Sequence, residues 1–149
     1  MSAEFRHIVR VIDKDIDGTK TVAEALSDIK GVGLRLVDII AKKAGVSLET
    51  RIGYLPEEKI EEIEKIIGNP AQYGIPSWLF NRRKDLNTGE DKHLISSDID
   101  LQVKADIERE KSIWSWRGYR HAYGLKVRGQ RTRTTGRTGK TVGVSRRRR

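Results

Sequence analysis

Residues 13–24, DKDIDGTKTVAE, carry oxygen ligands at the spacing of a calcium-binding loop: Asp13, Asp15 and Asp17, then Gly18, then Glu24. Such a loop surrounds a hard cation with carboxylates and turns sharply at the glycine. Three features favour a plain acidic turn. The preceding FRHIVRVI (Phe5–Ile12) is rich in β-branched residues and reads as a strand, where the loop requires a helix. Lys20 stands where paired loops place an apolar residue, and no second loop occurs. Glu24 follows Thr21 by three residues, which makes a helix-starting capping box and accounts for that carboxylate.

Other catalytic or metal chemistry is poorly supported. There is no cysteine, so thiolate zinc sites, disulfides and cysteine nucleophiles are excluded. His7, His93 and His121 are far apart and lack metal-ligand spacing. No phosphate-loop or dinucleotide glycine pattern appears. The glutamates of LPEEKIEEIEKIIG read as a solvated helix face rather than paired catalytic acids. The sequence therefore predicts no enzyme, no cofactor, no metal and no small-molecule substrate.

Phosphate chemistry is better represented. In DIKGVGLRLVDIIAKKAG (28–45), Gly31 and Gly33 form a Gly-Val-Gly turn between two helices. Glycines let a backbone approach a ligand closely, and the free N–H groups of the second helix favour an anion. Lys30, Arg35, Lys42 and Lys43 add positive charge nearby. The same residues also fit an ordinary tight turn. Likewise RRK (Arg82–Lys84) fits either a second basic contact or an exposed turn.

The strongest signal is an uneven charge distribution. Residues 1–110 hold 17 lysines and arginines against 21 acids; residues 111–149 hold 13 and no acid, within a net charge of +9. The final segment, WRGYRHAYGLKVRGQRTRTTGRTGKTVGVSRRRR, has guanidinium forks that grip phosphates bidentately, among hydroxyls and glycines that leave backbone N–H groups accessible. Tyr119, His121 and Tyr123 are spaced to stack on bases or riboses. The segment lacks an apolar face at helical spacing, which disfavours a membrane surface. It buries too little apolar area to offset an ordering entropy of about 1–2 kcal/mol per residue, so a folded RNA is expected to hold it.

These groups require a scaffold. The N-terminal strand is followed by the Thr21-capped helix, a helix from about Leu34 to Gly45, and a third with Pro56 at its first position and Ile60, Ile63, Ile66 and Ile67 in its stripe. Residues 69–96 read as an irregular or hairpin insertion pinned by Tyr73, Ile75, Trp78, Leu79 and Phe80, with a turn at NTGED. A long helix capped by Ser97 or Asp98 runs to about Trp114, with a seam of Ile99, Val103, Ile107 and Trp114. The expected organisation is mainly α: 1–68, N-terminal arm and helical body; 69–96, insertion; 97–116, long helix; 117–149, extended RNA-binding tail. About twenty apolar side chains are expected in the core. The N-terminus, MSAEFRHIVR, lacks a secretory h-region, and a cytoplasmic location is expected.

ALSDIKGVG, LPEEKIEEIEKI and above all RGYRHAYGLKVRGQRTRTTGRTGKTVGVS resemble one family over nearly the whole chain: the thirteenth protein of the small ribosomal subunit in its archaeal and eukaryotic form, numbered eighteenth in the eukaryotic series. YGIPSWLFNRRKD resembles the insertion that distinguishes this form from the bacterial one. The resemblance implies a helix-two-turn-helix body and a structural, ribosome-bound role in the head of the small subunit. Implied partners are small-subunit ribosomal RNA, the nineteenth small-subunit protein, peptidyl-site tRNA and, through intersubunit bridges, large-subunit RNA and the fifth large-subunit protein. Carried over by position, Arg117, Gly118, Arg120 and His121 open the RNA contact. Arg128, Gly129, Gln130, Arg131, Arg133, Thr134, Thr135, Arg137 and Lys140 form its centre, and Arg146, Arg147, Arg148 and Arg149 lie nearest tRNA. Two other classes fit in part. A DNA glycosylase/lyase can share the helical module but needs an N-terminal proline nucleophile, and this chain begins MSAEF. A chromatin-like protein coating duplex DNA fits the composition and differs in its nucleic-acid preference.

Overall fold

The computed structural model describes residues 5–136. Strands β1 (Ile8–Val11) and β2 (Lys14–Asp17) pair antiparallel, with Val9 opposite Ile16 and Arg10 opposite Asp15. The alternation sends Val9, Val11 and Ile16 into the core and Ile8 and Arg10 outward. The acidic segment read as a turn is therefore mostly a strand, with turns at its two ends, Ile12–Asp13 and Gly18–Thr19. Ile12 takes a left-handed φ of 57°, and its N–H donates to Glu64 Oε1 at 2.6 Å. Asp17 accepts from Thr19 N–H at 2.9 Å and its hydroxyl at 2.8 Å, which holds its carboxyl below the usual range. Gly18 serves packing: a Cβ there would lie 1.9 Å from the Arg6 carbonyl oxygen.

The capping box forms as expected, with Thr21 Oγ1 accepting from Glu24 N–H and the Glu24 carboxylate accepting from Thr21 N–H, each at 3.3 Å. It starts α1 (Val22–Ser27). Helix α2 (Leu34–Ala44) ends at Gly45 with φ 66°, a left-handed cap open to glycine at no steric cost. Pro56 precedes α3 (Glu57–Gly68) instead of occupying its first position, and its carbonyl accepts from Lys59 and Ile60 N–H. Ile60, Ile63, Ile66 and Ile67 are buried. Twenty buried apolar residues between Val9 and Phe80 form one core among the described residues. Each large side chain fully buried there contributes about 1.5–3 kcal/mol.

The insertion is a ladder of local contacts. Arg82 and Lys92 exchange backbone hydrogen bonds, Asn81 pairs through its side chain with the Leu94 backbone, and the chain reverses near Gly89. Ile75 and Phe80 enter the core, with Tyr73 and Leu79 packed at its edge. Trp78, expected as an anchor, is 65% exposed, on a 3₁₀ turn (Ser77–Leu79) with no buried residue.

Helix α4 (Ser96–Ser112) begins before its expected caps, at a Ser96 N–H that donates to the Lys30 carbonyl. Its expected apolar seam is not buried: no α4 residue is buried, and Trp114, at φ 57° beyond the helix end, is 83% exposed. The fully buried core ends at Phe80, with Ile95 packed at its edge, and α4 carries charge and side-chain amide pairs such as Glu108–Lys111 and Gln102–Asp106. A boundary at Leu101/Gln102 divides the chain into two compact units. The second unit contains a further helix, α5 (Trp116–Ala122), where the sequence predicts an extended tail from residue 117.

Candidate nucleic-acid interface

The Gly-Val-Gly turn uses its glycines unequally. A Cβ on Gly31, at φ 99°, would lie 2.6 Å from the Leu94 carbonyl oxygen and 2.8 Å from Ile99 Cδ1. The close approach available at this glycine is thus filled by the chain itself. Lys30 pairs with Asp100, and its carbonyl receives the Ser96 N–H. These two residues hold the start of α4. Gly33, by contrast, has no atom within 4 Å of its Cβ position, and it begins α2 without a side-chain cap. With exposed Arg35 it presents an open, cationic helix start.

His93 lies beside this turn. The Asn81 N–H donates to Nδ1 at 3.4 Å, the Phe80 ring is 6.0 Å away, and Nε2 is buried with no hydrogen-bond partner among the described residues. Burial lowers its pKa, and the nearby Gly31 backbone opposes that shift in part. Arg82, read as a possible basic contact, instead pairs with buried Asp85 at 3.0 Å and holds that carboxyl below its usual range. Arg83 and Lys84 are exposed.

The second unit concentrates the residues of the tail motif. Ser115 caps α5: its Oγ accepts from Gly118 N–H at 3.0 Å and donates to Glu110 Oε2 at 2.5 Å. Gly118 is buried, and a Cβ there would sit 2.0 Å from the Glu110 carbonyl oxygen. This glycine lets α5 lie directly on the end of α4. Because a helix repeats every 3.6 residues, α5 then shows two usable faces.

One face is aromatic. The Trp116 and Tyr119 rings stack with centroids 5.5 Å apart and 8° between planes; Tyr119 and Tyr123 follow at 4.6 Å. The Arg120 guanidinium stands 5.9 Å from the Trp116 ring centre, and its Nε donates to the Lys126 carbonyl at 2.8 Å. Trp116 is 71% exposed. A row of open rings beside an arginine can stack unpaired bases. Tyr119 and Tyr123 are the rings the sequence offers for stacking, and the structure leaves both exposed. Trp116 is not among the residues expected to stack, although its spacing of three and seven from them on a helix is a signal that reveals it.

The other face turns Arg117 and His121 into a cleft of about 690 Å³, walled by Val103, Asp106, Ile107, Arg109 and Glu110 of α4 and closed by Val127 and Arg128. The cleft gathers three of the motif residues, Arg117, His121 and Arg128. Beyond it, Gly129, Gln130, Arg131, Arg133, Thr134 and Thr135 are exposed in an irregular segment. Gln130 accepts from the Arg128 N–H at 3.0 Å, and the Thr135 hydroxyl donates to the Arg131 carbonyl. Arg137, Lys140 and Arg146 to Arg149 lie outside the described residues. Among the described residues no cluster of histidines and acids is placed to hold a metal, and no helix is long and apolar enough to cross a membrane.

A buried helical core is joined in sequence to a unit of exposed aromatic rings and cations, the side-chain classes suited to nucleic acid. Comparison with known proteins sharpens the class. Residues 10–138 match the model of the family described as ribosomal protein S13/S18. The small ribosomal subunit protein uS13 of Staphylothermus marinus is 57% identical over 145 residues, covering 97% of this chain and 96% of that protein. Its counterpart in Methanothermobacter thermautotrophicus is 53% identical over the full length of both, and that of Saccharolobus solfataricus 49% over 146 residues, 98% of this chain and 88% of that protein. The chain belongs to the ribosomal protein S13/S18 family.

Proposed function

We propose that the chain is a structural component of the small ribosomal subunit that binds ribosomal RNA through its second unit and takes no part in catalysis. What supports this most directly is α5, where Trp116, Tyr119 and Tyr123 stand open beside Arg120, followed by a segment without a single acidic side chain. The core-bearing body sets position, the insertion from 69 to 96 braces the start of α4, and the residues after it supply affinity. Gly33 and Arg35 add a second, smaller phosphate contact at the start of α2, while Lys30 and Gly31 act through the fold. Arg131, Arg133, Thr134, Thr135, Arg137 and Lys140 bind RNA phosphates, and Arg146 to Arg149 reach peptidyl-site tRNA. The family relationship supports the finer placement: ribosome-bound in the cytoplasm, in the subunit head beside the nineteenth small-subunit protein, and bridging to large-subunit RNA and the fifth large-subunit protein.

The test is a salt titration on a head-domain ribosomal RNA fragment. With 6–10 phosphates neutralised, affinity falls by about 10³–10⁵ between 50 and 200 mM salt on the duplex scale, somewhat less on single strands. The protein also remains with small subunits through a high-salt wash. A flat titration would refute the assignment, and equal affinity for plain duplex DNA would favour a chromatin-like binder in its place.

A further inference from the structure

The cleft between α4 and α5 differs chemically from the rest of the cationic unit. A surface built only to hold phosphates gains nothing from carboxylates, yet Glu110 and Asp106 line this cleft among Arg109, Arg117 and Arg128. Glu110 is also the last acidic side chain in the sequence. Its orientation is fixed: Oε2 accepts from Ser115 Oγ at 2.5 Å, and Ser115 is itself held as the α5 cap. No partner for Oε1 is found among the described residues. Val103, Ile107 and Val127 give the cleft apolar walls, and its 690 Å³ lies within the range of about 300–1,000 Å³ that encloses small organic ligands.

We infer that this cleft takes one unpaired guanine of the bound RNA, with the Glu110 carboxylate reading the base's Watson–Crick edge. The argument is one of donors and acceptors. Guanine alone among the four RNA bases presents two adjacent donors on that edge, N1–H and the 2-amino group. A carboxylate is an acceptor-only pair of oxygens with matching geometry. Adenine and cytosine each set a donor beside an acceptor, and uracil sets one donor between two acceptors, so each of them points a lone pair at Glu110. The apolar walls cover the faces of the base, and Arg117 and Arg128, which also line the cleft, bind the flanking phosphates. His121, four residues after Arg117 on the same face of α5, stands as a stacking partner. The inference rests on the RNA-binding reading above and adds base identity to it.

The experiment uses the full chain and short single-stranded RNAs in which one position carries guanine, inosine, adenine or uracil. The wild type binds the guanine strand about tenfold more tightly than the inosine strand, which lacks only the 2-amino group, a ratio at the lower end for a good bidentate contact. Glu110→Gln, which keeps an acceptor for Ser115, brings that ratio close to one at an unchanged salt slope. Free guanosine monophosphate competes only weakly, because it lacks the flanking phosphates; complete displacement by it would overturn the RNA assignment of this cleft in favour of a free nucleotide. Equal binding of guanine and inosine strands by the wild type, with a steep salt slope retained, sinks this inference alone. Loss of the salt slope as well sinks the RNA-binding reading. The inosine comparison needs no altered protein, so it stands even if Glu110→Gln loosens α5.

Discussion

Gly118→Ala is the substitution that separates the two units most cleanly. The added Cβ would lie 2.0 Å from the Glu110 carbonyl oxygen, 2.4 Å from its carbon and 2.8 Å from Lys111 Cα, all backbone atoms with no rotamer to yield. Non-bonded heavy atoms settle at about 3.5 Å, so α5 has to lift from α4 by about 1.5 Å. That movement stretches the Ser115 Oγ–Gly118 N–H cap from 3.0 Å beyond hydrogen-bond range. Overpacking costs about 1–3 kcal/mol and the cap about 1 kcal/mol, about 2–4 kcal/mol together. A seven-residue helix cannot sustain itself without its packing partner, so this cost opens α5 locally. Amide hydrogen exchange of residues 116–122 accelerates by about 30- to 700-fold, until the open-chain rate limits it. The core lies between Val9 and Phe80, so the main thermal transition moves little. On RNA, affinity falls by one stacked base, about 1–3 kcal/mol, while the salt slope is retained because every arginine remains. Unchanged exchange in α5, or a Tm loss matching the affinity loss, would refute the reasoning.

Thr21→Ala removes the α1 cap at a cost of about 1 kcal/mol, which lowers Tm by about 3–6 °C; a scan showing no change would count against the capping box as a source of stability. Acidification acts through His93. Its folded pKa is lowered, so folding disfavours the protonated form: the cost is absent well above pH 6.5 and grows as pH falls through 6.5 toward the folded value. Tm of the wild type therefore drops between pH 7 and pH 5 more than that of His93→Gln, and parallel curves would exclude the effect. Replacing Arg131 and Arg133 with Ala lowers the salt slope on RNA by about one for each phosphate no longer neutralised and leaves Tm in place. Millimolar calcium leaves Tm unchanged, because Asp15 and Asp17 are held in extended strand β2, opposite Arg10 and Ile8 of β1, and not in a cation-wrapping loop; a rise with calcium would show linkage to a bound ion.

Local rules suffice where one element decides its own form. Thr21 with Glu24, Gly45 after α2 and the isoleucine stripe of α3 need only their neighbours, and each appears as expected. They fail where a partner elsewhere decides. Lys14–Asp17 looks like an acidic turn until Val9 pairs with Ile16, and the calcium pattern is then a by-product of a polar strand edge. Gly31 looks reserved for a phosphate until Leu94 and Ile99 occupy its open side, and Gly118 until the Glu110 carbonyl does. Arg82 looks free until Asp85 is placed beside it. Glycines and arginines are ambiguous in sequence for one reason: close approach and fork-like donation serve a protein backbone or carboxylate as well as an RNA phosphate.

The same ambiguity explains why α5 reads as tail. Seven residues with three ring-bearing side chains, two arginines and a glycine do not predict a helix on propensity. The helix exists because Ser115 caps it and Gly118 lets it touch α4, and both contacts converge on Glu110. One residue thus ends the charge-balanced body, holds the cap of α5 through its carboxylate and lines the cleft with Arg117. Neutralising it should therefore alter the shape and the selectivity of the interface, whereas neutralising exposed Arg131 in the irregular segment should alter only affinity. That difference in outcome is what distinguishes a folded recognition unit from a merely cationic strand.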